Sequence, residues 1–189
     1  MSSTQRSYFE AMYAHQTDPW GFETSEYEAR KYSVTLASLP KARYGAVFEP
    51  GCSVGVLSEK LATRCDELLA TDVIPAALER AASRLQDYPH VTIERRAIPE
   101  EWPEGQFDLV VLSEIAYYFD ENDLARVVSL ILQSTTDGAH VIGVHWRGET
   151  DYPLSGDRTH ELISADPHFD RLVEHVEHDF TLAVWERRS

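Results

Sequence analysis

Lysine is nearly absent: only Lys31, Lys41 and Lys60 occur in a chain of 189 residues. Lysine and arginine together number 17 against 32 aspartates and glutamates, a formal net charge of −15. Binding to a phosphate backbone needs clustered basic side chains. The pairs Arg95-Arg96 and Arg187-Arg188 are isolated, so a nucleic-acid partner is excluded and a neutral or cationic substrate is favoured. Cysteine is equally sparse. Cys52 and Cys65 read as reduced thiols, because the polar start Met1-Ser2-Ser3-Thr4-Gln5-Arg6 has no apolar block behind it and gives no export signal. No apolar run is long enough to span a bilayer. A cytoplasmic protein without a membrane role is expected.

What is present is ordinary for a globular domain: 43% hydrophobic and 26% charged residues, with no internal repeat. Two helical patterns, over 3–15 and 25–39, are separated by the turn-rich Thr17-Asp18-Pro19-Trp20-Gly21. Short apolar runs then alternate with amphipathic helices. Strands are expected at 46–49, 68–71, 91–95, 107–112 and 139–146, and helices at 56–64, 75–85, 121–134 and 157–165. Asp137-Gly138 reads as a turn before the fifth strand. The alternating runs 169–176 and 180–185 read as an antiparallel hairpin. Repeated strand–helix alternation implies an α/β fold with a mostly parallel sheet and right-handed crossovers, whose ligands bind at the carboxyl ends of the strands.

One loop at such an end carries chemistry. Glu49-x-Gly51-x-Ser53-x-Gly55 follows a strand and opens a helix, and glycines there let a ligand approach the backbone closely. Dinucleotide enzymes use a similar loop. Here its first member is the acidic Glu49, which suits an ammonium better than a pyrophosphate, and its middle member is Ser53. Asp72 ends the second strand about twenty residues on, where a carboxylate accepts both ribose hydroxyls. Singly, the glycines read as a tight turn and Asp72 as a helix N-cap; together they point to a nucleoside cofactor.

With these residues in place, the chain resembles the class I S-adenosylmethionine-dependent methyltransferases, and within them the nodulation-type (NodS-like) enzymes that modify sugars. The resemblance runs from about Asp18 to Trp146. It is carried by Asp18-Pro19-Trp20, Glu28-Ala29-Arg30-Lys31-Tyr32, the 49–55 loop, Thr71-Asp72-Val73, and Phe107 to Phe119 with its Ser113-Glu114-Ile115-Ala116-Tyr117-Tyr118 end. It implies a Rossmann-like, seven-stranded sheet in a single methyltransferase domain over 1–189, with N-terminal helices (1–40) covering the cofactor site and a core over 41–189. It further implies that Gly51 and Gly55 approach S-adenosylmethionine, that Asp72 holds the ribose beside Val73, and that Trp20 and Arg30 close over the methionine portion. Such enzymes commonly offer an Asp to the adenine; here Ala97 stands in that place, which leaves adenine to backbone groups near Ala97 and Ile98. Ser113, at the end of the fourth strand, completes the expected cofactor set.

Methyl transfer to a hydroxyl needs a base, whereas transfer to an amine needs only a neutral nitrogen. His145, at the end of the fifth strand, and Glu114, at the end of the fourth, are the two candidates for catalysis. Tyr117 and Tyr118 are expected to line the acceptor pocket. The polar segment 145–160 is of a length that usually carries function: Trp146 and Tyr152 can stack on a sugar ring, Asp157 with Arg158 can bind its hydroxyls, and Arg147 and His160 are expected beside them. Asp157 otherwise reads as a cap for the helix that follows. A His145/Asp157/His160 group is also a conceivable divalent-cation site, though its spacing matches no compact signature and no metal is expected. Enzymes with such a loop resemble the small actinobacterial O-methyltransferases of methylmannose polysaccharide type. The leading expectation is therefore methylation of a hydroxyl on a small saccharide, with N-methylation of an amino sugar as the alternative and a non-sugar O-methyl acceptor behind it. With no inserted cap domain, the pocket comes from the N-terminal helices, the 145–160 loop and, in a possible homodimer, a second subunit. A dinucleotide reductase is disfavoured by Glu49 and Ser53, and a non-catalytic binding module is separated from an enzyme by turnover.

Overall fold

The computed structural model describes residues 2–188. The chain runs α1 (Arg6–His15), α2 (Glu26–Ser38), β1 (Tyr44–Pro50), α3 (Val56–Ala62), β2 (Cys65–Asp72), α4 (Pro75–Arg84), β3 (Val91–Arg95), β4 (Phe107–Ser113), a 3-10 turn (Ala116–Tyr118), α5 (Glu121–Gln133), β5 (Thr135–Trp146), α6 (Gly156–Ser164), β6 (Phe169–Val176) and β7 (Phe180–Arg187). The strand order β3-β2-β1-β4-β5-β7-β6 gives the expected seven strands. Pairing is parallel from β1 to β2, β2 to β3 and β4 to β5, and antiparallel from β5 to β7 and β7 to β6. Among the described residues no helix is long and apolar enough to cross a membrane.

The chain falls into two compact units, residues 5–97 and residues 98–188 with 2–4. In the first, the N-terminal helices do not stand apart from the strands that follow. Ser25 caps α2 by accepting the Glu28 amide, and the inward stripe of that helix is Glu28, Lys31, Tyr32 and Thr35, the spacing of one helical face. Pro75 sits in the first turn of α4, where its missing N–H costs nothing. Cys52 and Cys65 are both buried, and the Cys65 thiol is donated to the Leu61 carbonyl at 3.3 Å.

In the second unit β4 is buried along Leu109–Leu112, and Trp185 of β7 is fully buried with its indole N–H given to the Ser164 hydroxyl at 2.9 Å. Asp120 caps α5 by accepting the amides of Asn122 and Asp123. One expectation fails here. Asp137-Gly138 is not a turn before β5 but lies within it, and the register with β4 jumps from Phe107↔Thr135 to Leu109↔His140. Gly138, at φ +77°, absorbs the extra residues as an irregularity in a continuous strand.

Candidate functional site

Within residues 5–97, β1 and β2 lie side by side, with Glu49 opposite Ala70 and Pro50 opposite Thr71. Their carboxyl ends present Glu49 and Asp72. The loop between β1 and α3 has three left-handed residues, Gly51 (φ +73°), Ser53 (φ +51°) and Gly55 (φ +80°). Gly55 has a second constraint: a Cβ there would lie 3.1 Å from both Cα and Cβ of Ala81 on α4. Gly55→Ala is therefore expected to cost about 1–3 kcal/mol, from the left-handed conformation and the overlap together, read as a melting temperature several degrees below wild type.

Asp72 ties this loop down. Its Oδ2 accepts the Ser53 amide at 2.9 Å and its Oδ1 the Ile74 amide at 2.9 Å. Asp72 does not cap α4, whose N-cap is Ile74. The Ser53 hydroxyl meets the Tyr13 hydroxyl at 2.5 Å. Tyr13 in turn packs edge-on against Trp20, which stacks on Phe22. Asp18 shapes the turn beneath them by accepting the amides of Phe22 and Glu23. Glu23 pairs with Arg80 and Arg84 of α4, and Arg84 also reaches the Val54 carbonyl. The N-terminal segment is thus fastened to the loop between β1 and α3 and to α4. Sequence reasoning missed Tyr13: α1 buries none of its residues, so no periodicity marks it.

Electrostatically this corner is acidic. Glu49 is 2% exposed and accepts the Ser58 hydroxyl at 2.5 Å. Burial pushes its carboxyl up to about 8, against the lowering by Ser58, and the neighbouring Asp72 charge raises it further. Burial also raises Asp72, although three backbone amides work the other way. Neither carboxyl has a basic partner among the described residues. A buried acid in this condition is relieved by a cation. Trp20, Glu49, Gly51, Ser53, Gly55, Asp72 and Val73 thus belong to one corner with Tyr13 and Ser58. Arg30 is exposed on α2, while the neighbouring Lys31 is 1% exposed and pairs with Glu28 at 2.9 Å. Ala97 is half-buried just beyond β3.

The second unit holds the other expected residues, with Ile98 and Ser113 half-buried. Glu114 follows β4 in a left-handed conformation at φ +54°, uncommon for a residue with a Cβ. Its Oε2 accepts the Tyr117 hydroxyl at 2.5 Å and the Trp146 amide at 3.0 Å. Burial, and then the Glu114 charge, raise the Tyr117 phenol well above its ordinary value. Tyr117 and Tyr118 meet edge-on at 4.7 Å between centroids, and Tyr152 from the 147–155 loop packs on both, at 5.1 and 4.6 Å.

His145 is fully buried and both ring nitrogens are engaged. The Ala116 amide donates to Nε2 at 3.2 Å, and Nδ1 lies 2.9 Å from Nε2 of His160. The conceivable cation group does not assemble. His160 meets His145 edge-on, nitrogen to nitrogen at 2.9 Å, and the Asp157 carboxylate is taken by a bidentate bond from Arg147 at 2.8 and 3.0 Å. Among the described residues no group of three or more His, Cys, Asp or Glu is placed to hold a metal. Asp157 is not a cap either, since Ser155 caps α6. Arg147 also reaches the Glu177 carbonyl, so Arg147 and Asp157 form a clasp at the base of the loop. A pocket of about 580 Å³ lies along that loop, lined by residues 147–152 and 154–155. Trp146 is 40% exposed.

Known proteins resemble this chain as follows. Nodulation protein S from Rhizobium tropici is 29% identical over 127 residues, 66% of this chain and 53% of that protein. The homologue from Bradyrhizobium diazoefficiens is 34% identical over 102 residues, covering 53% and 49%. The chain spans about half the length of these relatives. Among solved structures, a protein from Pseudomonas syringae presumed to be a methyltransferase is 41% identical, with a TM-score of 0.77 over 86% of this chain and all of that one. The N-methyltransferase NodS from Bradyrhizobium japonicum WM9, solved with S-adenosylhomocysteine, superposes with a TM-score of 0.86 over 97% of this chain and 98% of that one. Its identity is 22%, so it speaks for the fold. The family model for nodulation protein S (NodS) matches residues 9–146, and the chain belongs to that family.

Proposed function

We propose that this protein is an S-adenosylmethionine-dependent methyltransferase acting on the amino group of a small saccharide. The cofactor part is carried by the buried Glu49 beside Asp72. These two acids without a basic partner suit a ligand bearing an ammonium and a pair of ribose hydroxyls. Glu49 would hold the ammonium, Asp72 the ribose, and the 51–55 loop would lie against the ligand, with Tyr13 and Trp20 supporting that loop. The cofactor, when bound, supplies an electrophilic methyl on a sulfonium.

The choice of acceptor turns on His145. Sequence favoured a hydroxyl with His145 as base. A base must present a lone pair to the proton it takes. His145 is buried, its Nε2 lone pair receives the Ala116 amide, and its Nδ1 faces His160. An amine acceptor makes no such demand. Glu114, fixed by Tyr117 and the Trp146 amide, would orient an amine and take its proton, and Tyr117 with Tyr152 would offer ring faces to the sugar. The name N-methyltransferase carried by the Bradyrhizobium japonicum relative agrees with this reading. The relatives named above lend the methylmannose polysaccharide resemblance no weight. A homodimer remains a proposal tested by sedimentation.

The test is an acceptor panel: glucosamine and its di- and trisaccharides against their N-acetylated forms. Methylation of the amines, with loss of at least about a hundredfold in rate on N-acetylation, is expected, because an amide nitrogen is a poor nucleophile. Equal turnover of the N-acetylated sugars would restore the hydroxyl reading.

A further inference from the structure

We propose that His160 is a positioning residue: it holds His145 in the one tautomer that can receive the Ala116 amide, and through that bond fixes the turn carrying Glu114 and Tyr117. The role in catalysis rests on the reading that this turn meets the acceptor; the hydrogen-bond relay does not.

Three consecutive residues at the end of β5 hold the turn. The Val144 carbonyl accepts the Glu114 amide at 2.8 Å, His145 Nε2 accepts the Ala116 amide at 3.2 Å, and the Trp146 amide donates to Glu114 Oε2 at 3.0 Å. Of these, only the His145 bond depends on a side chain with a choice of proton position. A neutral imidazole carries one N–H, and Nε2 must be bare to accept from an amide. The proton therefore sits on Nδ1, and Nδ1–H needs an acceptor inside a buried site. His160 Nε2, 2.9 Å away, is that acceptor. The relay then runs in one direction, from the Ala116 amide to His145 and from His145 to His160.

The surroundings suit this arrangement. His160 stays uncharged, pushed down to about 2 by burial and then by His145; Asp157 and Glu114 pull the other way and Arg171 adds to the lowering. The ring sits edge-on to Trp185 at 5.2 Å. Space for it comes from Gly143, where a Cβ would lie 3.3 Å from His160 Nε2 and 2.9 Å from the Trp185 ring. The turn needs a firm hold because Glu114 occupies a left-handed conformation that costs energy.

The experiment uses the full ¹⁵N-labelled chain at pH 7. Long-range ¹H–¹⁵N correlations are expected to show His145 with a bare Nε2 and a protonated Nδ1, and the Ala116 amide protected from hydrogen exchange. An Nε2–H tautomer overturns the proposal. In His160→Leu, Ala116 exchange is expected to accelerate at least about tenfold, and kcat for glucosamine methylation to fall about tenfold, with S-adenosylhomocysteine affinity unchanged within about twofold. His160→Gln, whose Oε1 can accept from Nδ1, restores Ala116 protection. Unchanged protection in the leucine variant, or a glutamine variant no better than leucine, contradicts the relay. The tautomer and exchange readouts need no substrate. A wild type inactive on amino sugars but with those signatures intact therefore counts against the acceptor reading alone.

Discussion

An Asp72→Ala variant is expected to lose affinity for S-adenosylhomocysteine by at least about a hundredfold, roughly 2.7 kcal/mol, and to unfold several degrees below wild type. Two separate losses produce this. The carboxylate accepts the amides of Ser53 and Ile74, and removing it leaves both without that acceptor, each at a cost of about 1–3 kcal/mol where water cannot substitute. Ser53 holds φ +51° only while something pins it, so the loop between β1 and α3 relaxes. The ribose hydroxyls also lose their acceptor. Asp72→Asn separates the two effects. It retains one oxygen for an amide, so much of the stability returns, while affinity stays low because the amide cannot accept from two hydroxyls and serve the loop. Calorimetry and thermal melts read the two losses independently. An alanine variant that binds within a few-fold of wild type removes Asp72 from the cofactor site.

Glu49→Gln is expected to act in opposite directions on stability and on binding. In the folded chain the Glu49 carboxyl keeps its proton up to about 8, while the unfolded chain gives it up near the ordinary 4.5. Between those values the folded state binds more protons than the unfolded state. Stability therefore falls as pH rises through this window, and the full deficit is present above about 8. Glutamine carries no such penalty and can still accept from Ser58. The variant should match wild type near pH 4.5 and exceed it by a few kcal/mol at pH 8. Its affinity for S-adenosylhomocysteine should fall between about ten- and a hundredfold, since a neutral amide replaces the partner of the ligand's ammonium. Parallel melting curves for the two proteins from pH 5 to 8 contradict the burial argument. Equal affinity contradicts the assignment of Glu49 to the ammonium.

Much of this corner is legible in the sequence because its determinants are local. Glu49, Gly51, Ser53 and Gly55 lie within seven residues, and Asp72 follows at the end of the next apolar run. Spacing and residue type therefore place them on neighbouring strand ends. The β6–β7 hairpin is legible for the same reason, as two alternating runs with almost nothing between them. What stays hidden depends on partners distant in the chain. Ser53 and Tyr13 are 40 residues apart, and α1 gives no inward stripe to announce the contact. His145 reads as a free strand-end imidazole until Ala116 and His160 take both nitrogens. Arg147 and Asp157 read as two separate polar groups, and nothing in their spacing announces the bidentate bond between them. Arg30 is a different case. The stripe Glu28, Lys31, Tyr32, Thr35 is visible by its spacing and leaves Arg30 on the exposed side, but two charged members disguise it as a surface. At Asp137-Gly138 the residue types suit a turn equally well, and only pairing with β4 decides for a strand irregularity.

Residues 5–97 are proposed to bind S-adenosylmethionine through Glu49 and Asp72. The most direct measurement is calorimetric titration of the full chain with S-adenosylhomocysteine at pH 7, in two buffers of different ionisation enthalpy. Saturable one-to-one binding is expected, with net proton release as the Glu49 carboxyl, protonated up to about 8 when free, ionises against the ligand's ammonium. No saturable heat with S-adenosylhomocysteine, or saturation by NAD in its place, contradicts the account.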